Sequence, residues 1–471
     1  MLTSVDVGEG PFESLRRSEF SRLDERGIAY LDYAASALYG ASQVAAYSEK
    51  LMRGVFGNPH SEHGPSRASE ADLELARAAT LAFFDADPAV YDVCFTANTS
   101  MAIKLVAESY PFRPGRGLVL SADNHNSMNG IREYARAAGA PVCVLPLDHD
   151  LRLLEPAELL TTFARSQPRG LFGFPAQSNF SGVKHPLDLV RRAQSLGYDV
   201  LLDAAGVGCG GGISLRRHPA EFLVFSFYKI FGLPTGVGAL VARRDALDRL
   251  ERPWFAGGTV DFVSIEHDRH QLRSGHGAFE DGTPDFLNLG GVASGFEFLA
   301  RIDGAALARR LERLTAGFIE RARTLKRREG TPLMRLYGPV SSDARGATVA
   351  FNVLNADGST VPYQTVEARA RDAGVAVRGG CFCNPGAAER AFEFRRFDLV
   401  RALDGLRHGF TPDRLRTCLG ADATVGAIRL SMGLPTIEKD IDRALGVAES
   451  FADARDNDMA ASSCEHSKFL R

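Results

Sequence analysis

Short apolar runs alternate with helix-like segments from Asp92 to Phe227, and this alternation restricts the possible folds more than any other feature of the sequence. It is typical of a mostly parallel sheet with helices on both faces. Ligands of such sheets bind at the carboxyl ends of the strands. We therefore predict an α/β fold with its site at that edge. The predicted strands are Val93–Thr96, Leu118–Ser121, Val142–Leu145, Gly170–Phe174, Val200–Asp203 and Leu223–Phe227, and the predicted helices include Ser66–Phe84, Ser100–Ser109, Asn129–Ala138 and Leu187–Leu196.

Lys229 lies between two apolar runs in the segment Phe222–Ala242. Lysine is rarely placed in apolar surroundings without a partner or a task. Desolvation lowers the pKa of an ammonium group, and the resulting neutral amine can form a Schiff base with an aldehyde. The segment alone is equally compatible with a lysine that extends its charged end to solvent.

Polar residues follow several of the predicted strands. Thr99 and Ser100 begin a helix, where free backbone N–H groups favour an anion such as phosphate. Asp203 ends an apolar strand, and a buried carboxylate there requires a cation or a strong donor. The ring of His125 can stack on an aromatic ligand, and Asn179 can donate a hydrogen bond. Each residue also has a simpler interpretation, as a helix cap or a hydrogen-bonded surface residue.

Taken together, these residues are the parts that pyridoxal phosphate requires. The cofactor needs a lysine for its aldehyde, an acid for its ring nitrogen, a stacking ring, a donor to its phenolic oxygen and a helix N-terminus for its phosphate. Ser226 and Tyr228 lie close to Lys229 and add two phosphate donors. Five parts in a consistent order favour this cofactor more strongly than any single part.

Composition and charge narrow the function further. The chain has 471 residues, 24% of them charged, and a net charge of −3, which is ordinary for a globular protein of two or three domains. We expect a cytoplasmic protein without a nucleic-acid or membrane partner, since no segment approaches the roughly 20 apolar residues of a membrane span. The seven cysteines are scattered, unlike a disulfide framework, and Cys381 and Cys383 lack the spacing of a metal site.

With these residues in view, the chain resembles the class V group of pyridoxal-phosphate enzymes. It is most similar to the cysteine desulfurases and to the desulfurase-like amino-terminal domain of molybdenum-cofactor sulfurases. The resemblance extends over roughly residues 30–450. It rests on Leu31–Ala35, Gly57–Ser61, His125–Ser127, Ser226–Gly232, Pro234–Gly236, Gly257–Val260, Phe279–Thr283, Arg378–Ala387 and Arg429–Gly433.

The resemblance implies an aspartate-aminotransferase-like architecture, the type I fold of pyridoxal-phosphate enzymes. A large cofactor-binding domain with a mostly parallel seven-stranded sheet is expected over residues 31–299. A smaller α+β domain is expected from residues 1–30 and 300–455, followed by a polar tail at 456–471.

The resemblance also implies roles for individual residues. Lys229 would carry the cofactor and move the substrate proton, His125 would stack on the ring, Asp203 would hold the ring nitrogen and Asn179 the phenolic oxygen. Thr259 and Thr283 would reach the site from a second subunit, which implies a homodimer with shared active sites. The phosphate residues would be Thr99, Ser100, Ser226 and Tyr228, and the substrate residues Arg429, Asn58 and Ala35.

Cys383 matches the cysteine that attacks the sulfur of L-cysteine, with Cys381 as the second candidate. The products would be L-alanine and a persulfide, whose sulfur passes to a molybdenum cofactor, a sulfur carrier or a specialised metabolite. One alternative is a class V aminotransferase, lyase or epimerase that uses no thiol. Another is a binding protein with a degenerate cofactor pocket.

The sequence departs from the family in four places. Asp203 is followed by Ala-Ala-Gly, so a glutamine donor to the phenolic oxygen is missing, and Ala388 stands where a third cysteine is frequent. The chain also leaves no room for the second domain of eukaryotic sulfurases. Residues 389–424 resemble an insertion that forms a lid, a docking surface or only a surface helix. Residues 295–335 are predicted to be helical, with Gly330 at the end.

Overall fold

The structure, a computed structural model, describes residues 10–406, 409–420 and 423–452. The predicted tail at 456–471 and Cys464 lie outside these residues. The strands are β1 Ala29–Tyr30, β2 Tyr91–Thr96, β3 Leu118–Ser121, β4 Val142–Leu145, β5 Leu171–Pro175, β6 Asp199–Asp203, β7 Phe222–Ser226, β8 Gly238–Arg243, β9 Val260–Ser264, β10 Arg269–Leu272, β11 Met334–Tyr337, β12 Thr348–Val353, β13 Val375–Ala376, β14 Arg378–Gly380 and β15 Ala427–Ser431.

The helices begin and end as follows. They are α1 Pro11–Glu19, α2 Arg22–Glu25, α3 Ala41–Arg53, α4 Gly64–Phe83, α5 Thr99–Ser109, α6 Asn126–Asn129, α7 Ile131–Ala137, α8 Pro156–Ser166, α9 Leu189–Ser195, α10 Tyr228–Phe231, α11 Arg244–Leu247, α12 Phe286–Leu289, α13 Val292–Ala300, α14 Gly304–Thr324, α15 Tyr363–Asp372, α16 Pro385–Ala391, α17 Arg396–Gly405, α18 Pro412–Leu419 and α19 Glu438–Glu449. Short 3₁₀ turns lie at Gly208–Gly210 and Gly275–Ala278.

Seven strands form the larger sheet, in the order β2-β8-β7-β6-β5-β3-β4. Strand β8 is antiparallel to both of its neighbours, and all other pairs are parallel. Because helices cover both faces, the central strands are apolar on both sides. Phe172 and Leu223 face one core, and Leu171 and Val224 face the other. The predicted α/β fold with a mostly parallel seven-stranded sheet is confirmed.

A second, antiparallel sheet has the order β11-β12-β15-β14. Helices α14 and α19 pack against it through Phe318 and Leu445, in a core separate from those of the large sheet. Strand β1 pairs in parallel with β13 beside this sheet. Strand β15 carries Arg429, and the loop after β14 carries both candidate cysteines. The exact domain boundaries given above remain predictions.

Three helical predictions were wrong in detail. The segment 295–335 contains two helices, because the Asp303 carboxylate accepts hydrogen bonds from the N–H groups of Ala305 and Ala306 and so starts α14. Gly330 lies beyond that helix, in a turn with φ of 86°. The predicted helix Asn129–Ala138 is split into α6 and α7.

The segment 389–424 contains α17 and α18 instead of one surface helix. These helices pack on each other around Ala402, Leu406 and Leu415. Within the described ranges, no helix is both long and apolar enough to cross a lipid bilayer. The same residues contain no group of three or more side chains arranged to hold a metal ion.

Candidate active site

A cavity of about 420 Å³ lies at the carboxyl ends of the parallel strands of the large sheet. Residues that follow β2, β3, β5, β6 and β7 contribute its walls, as the alternation of the sequence predicts. The candidate residues that line it are Thr99, Ser100, His125, Asn179, Asp203, Ser226, Tyr228 and Lys229.

Lys229 lies in the short helix α10, directly after β7. Burial of its amine among protein atoms lowers the pKa, and the Asp203 carboxylate opposes part of this shift. A lysine with a lowered pKa more readily provides the neutral amine that an aldehyde requires.

Asp203 ends β6 and is buried, with 5% of its surface exposed. The N–H of Ala205 donates to Oδ1 at 2.8 Å, and no Arg, Lys or His of the described residues lies within ion-pair distance. Burial raises the pKa of Asp203, against the field of Lys229. A buried carboxylate at a cavity wall without a cationic partner suits a protonated ring nitrogen supplied by a ligand.

His125 lines the same cavity and is fixed by Ser127. The backbone N–H of Ser127 donates to His125 Nδ1 at 3.1 Å, so the neutral ring carries its proton on Nε2. Burial lowers the pKa of His125, while Asp203 raises it. A neutral ring is the form that stacks most readily on a cationic pyridine.

The N-terminus of α5 forms one end of the cavity. Thr99 is the first helical residue, but Asn98 is the N-cap, since its side chain accepts from the N–H of Met101 at 3.1 Å. The alternative interpretation of Thr99 as the N-cap is therefore wrong. Ser226 Oγ accepts from the N–H of Thr99 at 2.9 Å and lies 2.7 Å from its Oγ1. Ser100 Oγ lies 2.6 Å from Ser127 Oγ. These hydroxyls and N–H groups form an anion-binding end.

The side chain of Asn179, predicted to donate to the phenolic oxygen of the cofactor, already has hydrogen-bond partners within the protein. Its Nδ2 donates to the carbonyl of Phe382 at 2.7 Å, and its Oδ1 accepts from Asn384 at 3.0 Å. The amide therefore holds the cysteine loop, and only its second N–H is left for a phenolic oxygen. Gln177 also lines the cavity and donates to the carbonyl of Gly206 at 2.7 Å. A side chain at 206 would overlap the Gln177 backbone, which explains the glycine there.

Arg429 is buried and already has two partners. Its Nη2 donates to Asp32 Oδ1 and its Nη1 to the carbonyl of Asn179, both at 3.0 Å. Asp32 also accepts from Arg378, at 2.8 Å from Nη2. A substrate carboxylate can use only the remaining N–H groups of Arg429, or it must displace Asp32. Asp32 was not predicted as a site residue, although it stands within the Leu31–Ala35 motif.

The two candidate cysteines have different surroundings. Cys383 is exposed, and its backbone carbonyl accepts from the N–H of Asn126, the residue after His125, at 2.7 Å. Cys381 is partly buried and its Sγ donates to the carbonyl of Val425 at 3.4 Å. Burial raises the pKa of Cys381 to about 11, so little thiolate forms there near neutral pH. The geometry therefore favours Cys383.

Six predicted site residues do not line the cavity: Ala35, Asn58, Thr259, Thr283, Cys383 and Arg429. Asn58 Nδ2 donates to Thr283 Oγ1 at 3.2 Å, so these two lie together elsewhere. Thr259 is fully buried and bonded to Ala256. The contribution of Thr259 and Thr283 to a neighbouring subunit's site remains a prediction.

The residues present fit pyridoxal 5′-phosphate. A lysine with a lowered pKa, an unpaired buried carboxylate, an aromatic wall and an anion-binding helix end all face one cavity. Together with the mostly parallel seven-stranded sheet, they define a pyridoxal-phosphate enzyme of fold type I.

Comparisons with known proteins agree with this class. The family described as Aminotransferase class-V matches residues 29–444, and the chain belongs to this pyridoxal-phosphate-dependent family. The molybdenum cofactor sulfurase of Solanum lycopersicum is 33% identical over 93% of this chain, and that of Anopheles gambiae is 35% identical over 91%. The chain spans 57% of the length of each of these relatives.

Solved structures share the fold. The cysteine desulfurase from Thermococcus onnurineus NA1 superposes with a TM-score of 0.75 at 23% identity, covering 94% of this chain and 98% of that one. The cysteine desulfurase CsdA from Escherichia coli gives a TM-score of 0.72 at 22% identity, with the same coverage.

Proposed function

We propose that the protein is a cysteine desulfurase that converts L-cysteine to L-alanine, retains the sulfur as a persulfide on Cys383 and passes it to an acceptor. One observation carries this proposal: the exposed Cys383 lies in a loop that is hydrogen-bonded to Asn179, a wall residue of the cavity that contains Lys229. The names of the sulfurase and desulfurase relatives support the same reaction.

Each residue would have a distinct task. Bound pyridoxal phosphate would supply the electron sink for the substrate carbanion. Asp203 would keep the ring nitrogen protonated, and Lys229 would move the α-proton of the substrate. Arg429 would hold the substrate carboxylate through N–H groups that its present partners do not use.

Cys383 would complete the reaction as the nucleophile. Its thiolate would attack the substrate sulfur, so that an S–S bond forms while the substrate Cβ–S bond breaks. The electron pair of the broken bond would stay with the carbon fragment, and protonation would give alanine. Cys383 suits this step because it is exposed and, unlike Cys381, its Sγ has no hydrogen-bond partner among the described residues.

The sulfur acceptor is proposed from the relatives. Several of them are named molybdenum cofactor sulfurases, which makes a molybdenum cofactor the first candidate. A sulfur carrier or a specialised metabolite would likewise receive the outer sulfur of the Cys383 persulfide.

We also propose a cytoplasmic homodimer with shared active sites. The hairpin β9–β10 and its surroundings expose large apolar side chains, including Trp254, Phe262 and Ile265, the last with 90% of its surface exposed. Such a patch is unusual on a monomer. Light scattering should report a dimer, and Ile265→Asp should dissociate it. A monomeric unmodified protein would contradict the proposal.

The function is tested by supplying L-cysteine to the holoenzyme. Alanine and acid-labile sulfide should appear in equal amounts in the presence of a thiol reductant. Cys383→Ser should abolish both while retaining the absorbance of the bound cofactor. Amino-group exchange or elimination that continues unchanged in Cys383→Ser would instead establish an aminotransferase or lyase.

A further inference from the structure

We infer that Asn384 is a positioning residue that pins the cysteine loop to the wall of the cofactor cavity and thereby fixes Cys383 for sulfur transfer. Only the last step of the inference, the effect of the loop position on sulfur transfer, rests on the proposed function. The pin itself is a structural relationship that can be tested without any turnover.

The backbone around Cys383 adopts a conformation that it would not hold unaided. Phe382 and Cys383 have φ values of 55° and 56°, in the left-handed region. Two consecutive residues with side chains are strained there. Such a turn persists only where the surrounding contacts over-determine it.

Contacts on both sides of the turn supply that constraint. The Asn179 side chain donates to the carbonyl of Phe382 at 2.7 Å, and the N–H of Asn126 donates to the carbonyl of Cys383 at 2.7 Å. The N–H of Asn384 closes the turn onto the carbonyl of Cys381 at 3.0 Å.

Asn384 makes the most buried of the contacts that hold the cysteine loop. The residue is fully buried, and its Nδ2 donates to Asp123 Oδ1 at 2.7 Å and to Asn179 Oδ1 at 3.0 Å. Its Oδ1 accepts from the N–H of Ala387 at 3.2 Å and so caps α16. One side chain therefore joins the end of the cysteine loop to the large sheet and to the helix that follows.

Asp123 is a fixed anchor. Both of its oxygens are bonded, since Ser178 Oγ donates to Oδ1 and His185 Nε2 lies against Oδ2, each at 2.8 Å. Its side chain is fully buried. Asp123 also lines the cavity that holds Lys229 and Asp203. The pin thus ties the position of Cys383 directly to the wall of the proposed cofactor site.

The start of α16 packs so closely against the segment before Asp123 that no other packing fits there. A side chain at Gly386 would overlap the carbonyl of Ala122, so the start of α16 lies directly on the chain that leads to Asp123. Glycine at 386 and asparagine at 384 are therefore both explained by close contact between the loop and the large sheet.

The test compares three variants. Asn384→Ala removes the pin and the cap. Asn384→Asp keeps a cap acceptor for Ala387 but cannot donate to Asp123. Asn352→Ala is the matched control: Asn352 is equally buried, but bonds Tyr337 and Gly426 instead of the loop.

Both Asn384 variants should form persulfide on Cys383 at least tenfold more slowly in a single turnover, with the KM for L-cysteine and the absorbance of the bound cofactor unchanged. Iodoacetamide should still alkylate Cys383 at the normal rate or faster, because the thiol would be displaced and not lost. Asn352→Ala should leave the rate of persulfide formation unchanged. Normal persulfide formation in both Asn384 variants, or an equal loss in the Asn352 control, would overturn the inference.

Hydrogen exchange tests whether the cysteine loop is held in place when a variant does not fold or when no persulfide forms. In the unmodified protein, the N–H groups of Asn126 and Asn384 should exchange slowly, and in a folded Asn384→Ala they should exchange at least tenfold faster. Complete exchange of both groups within seconds in the unmodified protein would show that the loop is not pinned. Slow exchange without persulfide would retain the pin and reject the desulfurase function.

Discussion

The Asp32 carboxylate lies 3.0 Å from Nη2 of Arg429 and 2.8 Å from Nη2 of Arg378. Arg429, the arginine expected to bind the substrate carboxylate, therefore already has an anionic partner. A backbone bridge between Asp32 and strand β15 holds this partner in place. Asp32 forms a bridge with Ser431, two residues after Arg429 on β15. We infer that Asp32 orients Arg429 and keeps its charge compensated.

Replacing Asp32 should destabilise the protein. Arg429 has 3% of its side chain exposed and no other carboxylate within ion-pair distance among the described residues. Removing one partner of a buried pair costs about 3–5 kcal/mol, so Asp32→Asn should lower the free energy of unfolding by about 3 kcal/mol. Asp24→Asn is the control, because Asp24 is half exposed and Arg16 retains Asp440. Its cost should stay below about 1 kcal/mol. Equal losses in urea titrations would contradict this role of Asp32.

Arg429→Lys should weaken substrate binding and spare the cofactor. A lysine cannot reproduce the planar fork that contacts Asp32, Asn179 and a substrate carboxylate together. Loss of one charge-assisted hydrogen bond of about 1.5–3 kcal/mol raises the KM for L-cysteine by roughly 10- to 100-fold. Steady-state kinetics and cofactor titration of the same preparation test this. An unchanged KM would remove Arg429 from the substrate site.

Asp203→Asn should raise the stability of the protein and lower its activity. Burial raises the pKa of Asp203 in the folded protein above its unfolded value, so the folded state binds the proton more tightly. Stability is therefore lost as the pH rises from the unfolded pKa through the folded one, and the loss persists at pH 7. Without cofactor, Asp203→Asn should melt at a higher temperature at pH 7 and by a smaller margin near pH 4. Turnover should fall about 100-fold or more. A lower melting temperature at pH 7 would contradict the burial argument.

The cofactor should attach to Lys229 at a pH below the ordinary lysine range. Burial lowers the pKa of this amine, so the neutral form should appear below pH 10.5. Borohydride reduction followed by peptide mapping should place the cofactor on Lys229, with attachment increasing as the pH rises to a midpoint below 10.5. Lys229→Ala should retain no reducible cofactor. Labelling of Lys184 in its place would contradict the assignment.

The fold could be predicted from the sequence because the central strands of the large sheet are short and mainly apolar runs. Leu171–Pro175 and Phe222–Ser226 are buried on both faces, and the residues at their ends reach one cavity. The helix limits were less accurate, because caps such as Asp303 decide where a helix restarts. Periodicity alone carries no such information.

The partners of individual side chains could not be predicted from their positions. The structure bonds Asn179 to Phe382 and Arg429 to Asp32, and these partners do not follow from their positions in the sequence. Asn384 lies within the recognised cysteine motif, yet its role depends on Asp123, which is far away in the sequence. Contacts of this kind follow from how segments that are far apart in the sequence pack together in the fold.

The most direct measurement maps the persulfide after a single turnover with L-cysteine in the unmodified protein, in Cys383→Ser and in Cys381→Ser. Cys381 is held by Val425 and has a pKa raised to about 11, whereas Cys383 is exposed. Mass spectrometry should find one added sulfur on the peptide of Cys383, absent from Cys383→Ser and retained in Cys381→Ser. A persulfide on Cys381, or none in the unmodified protein while alanine is still formed, would contradict the account.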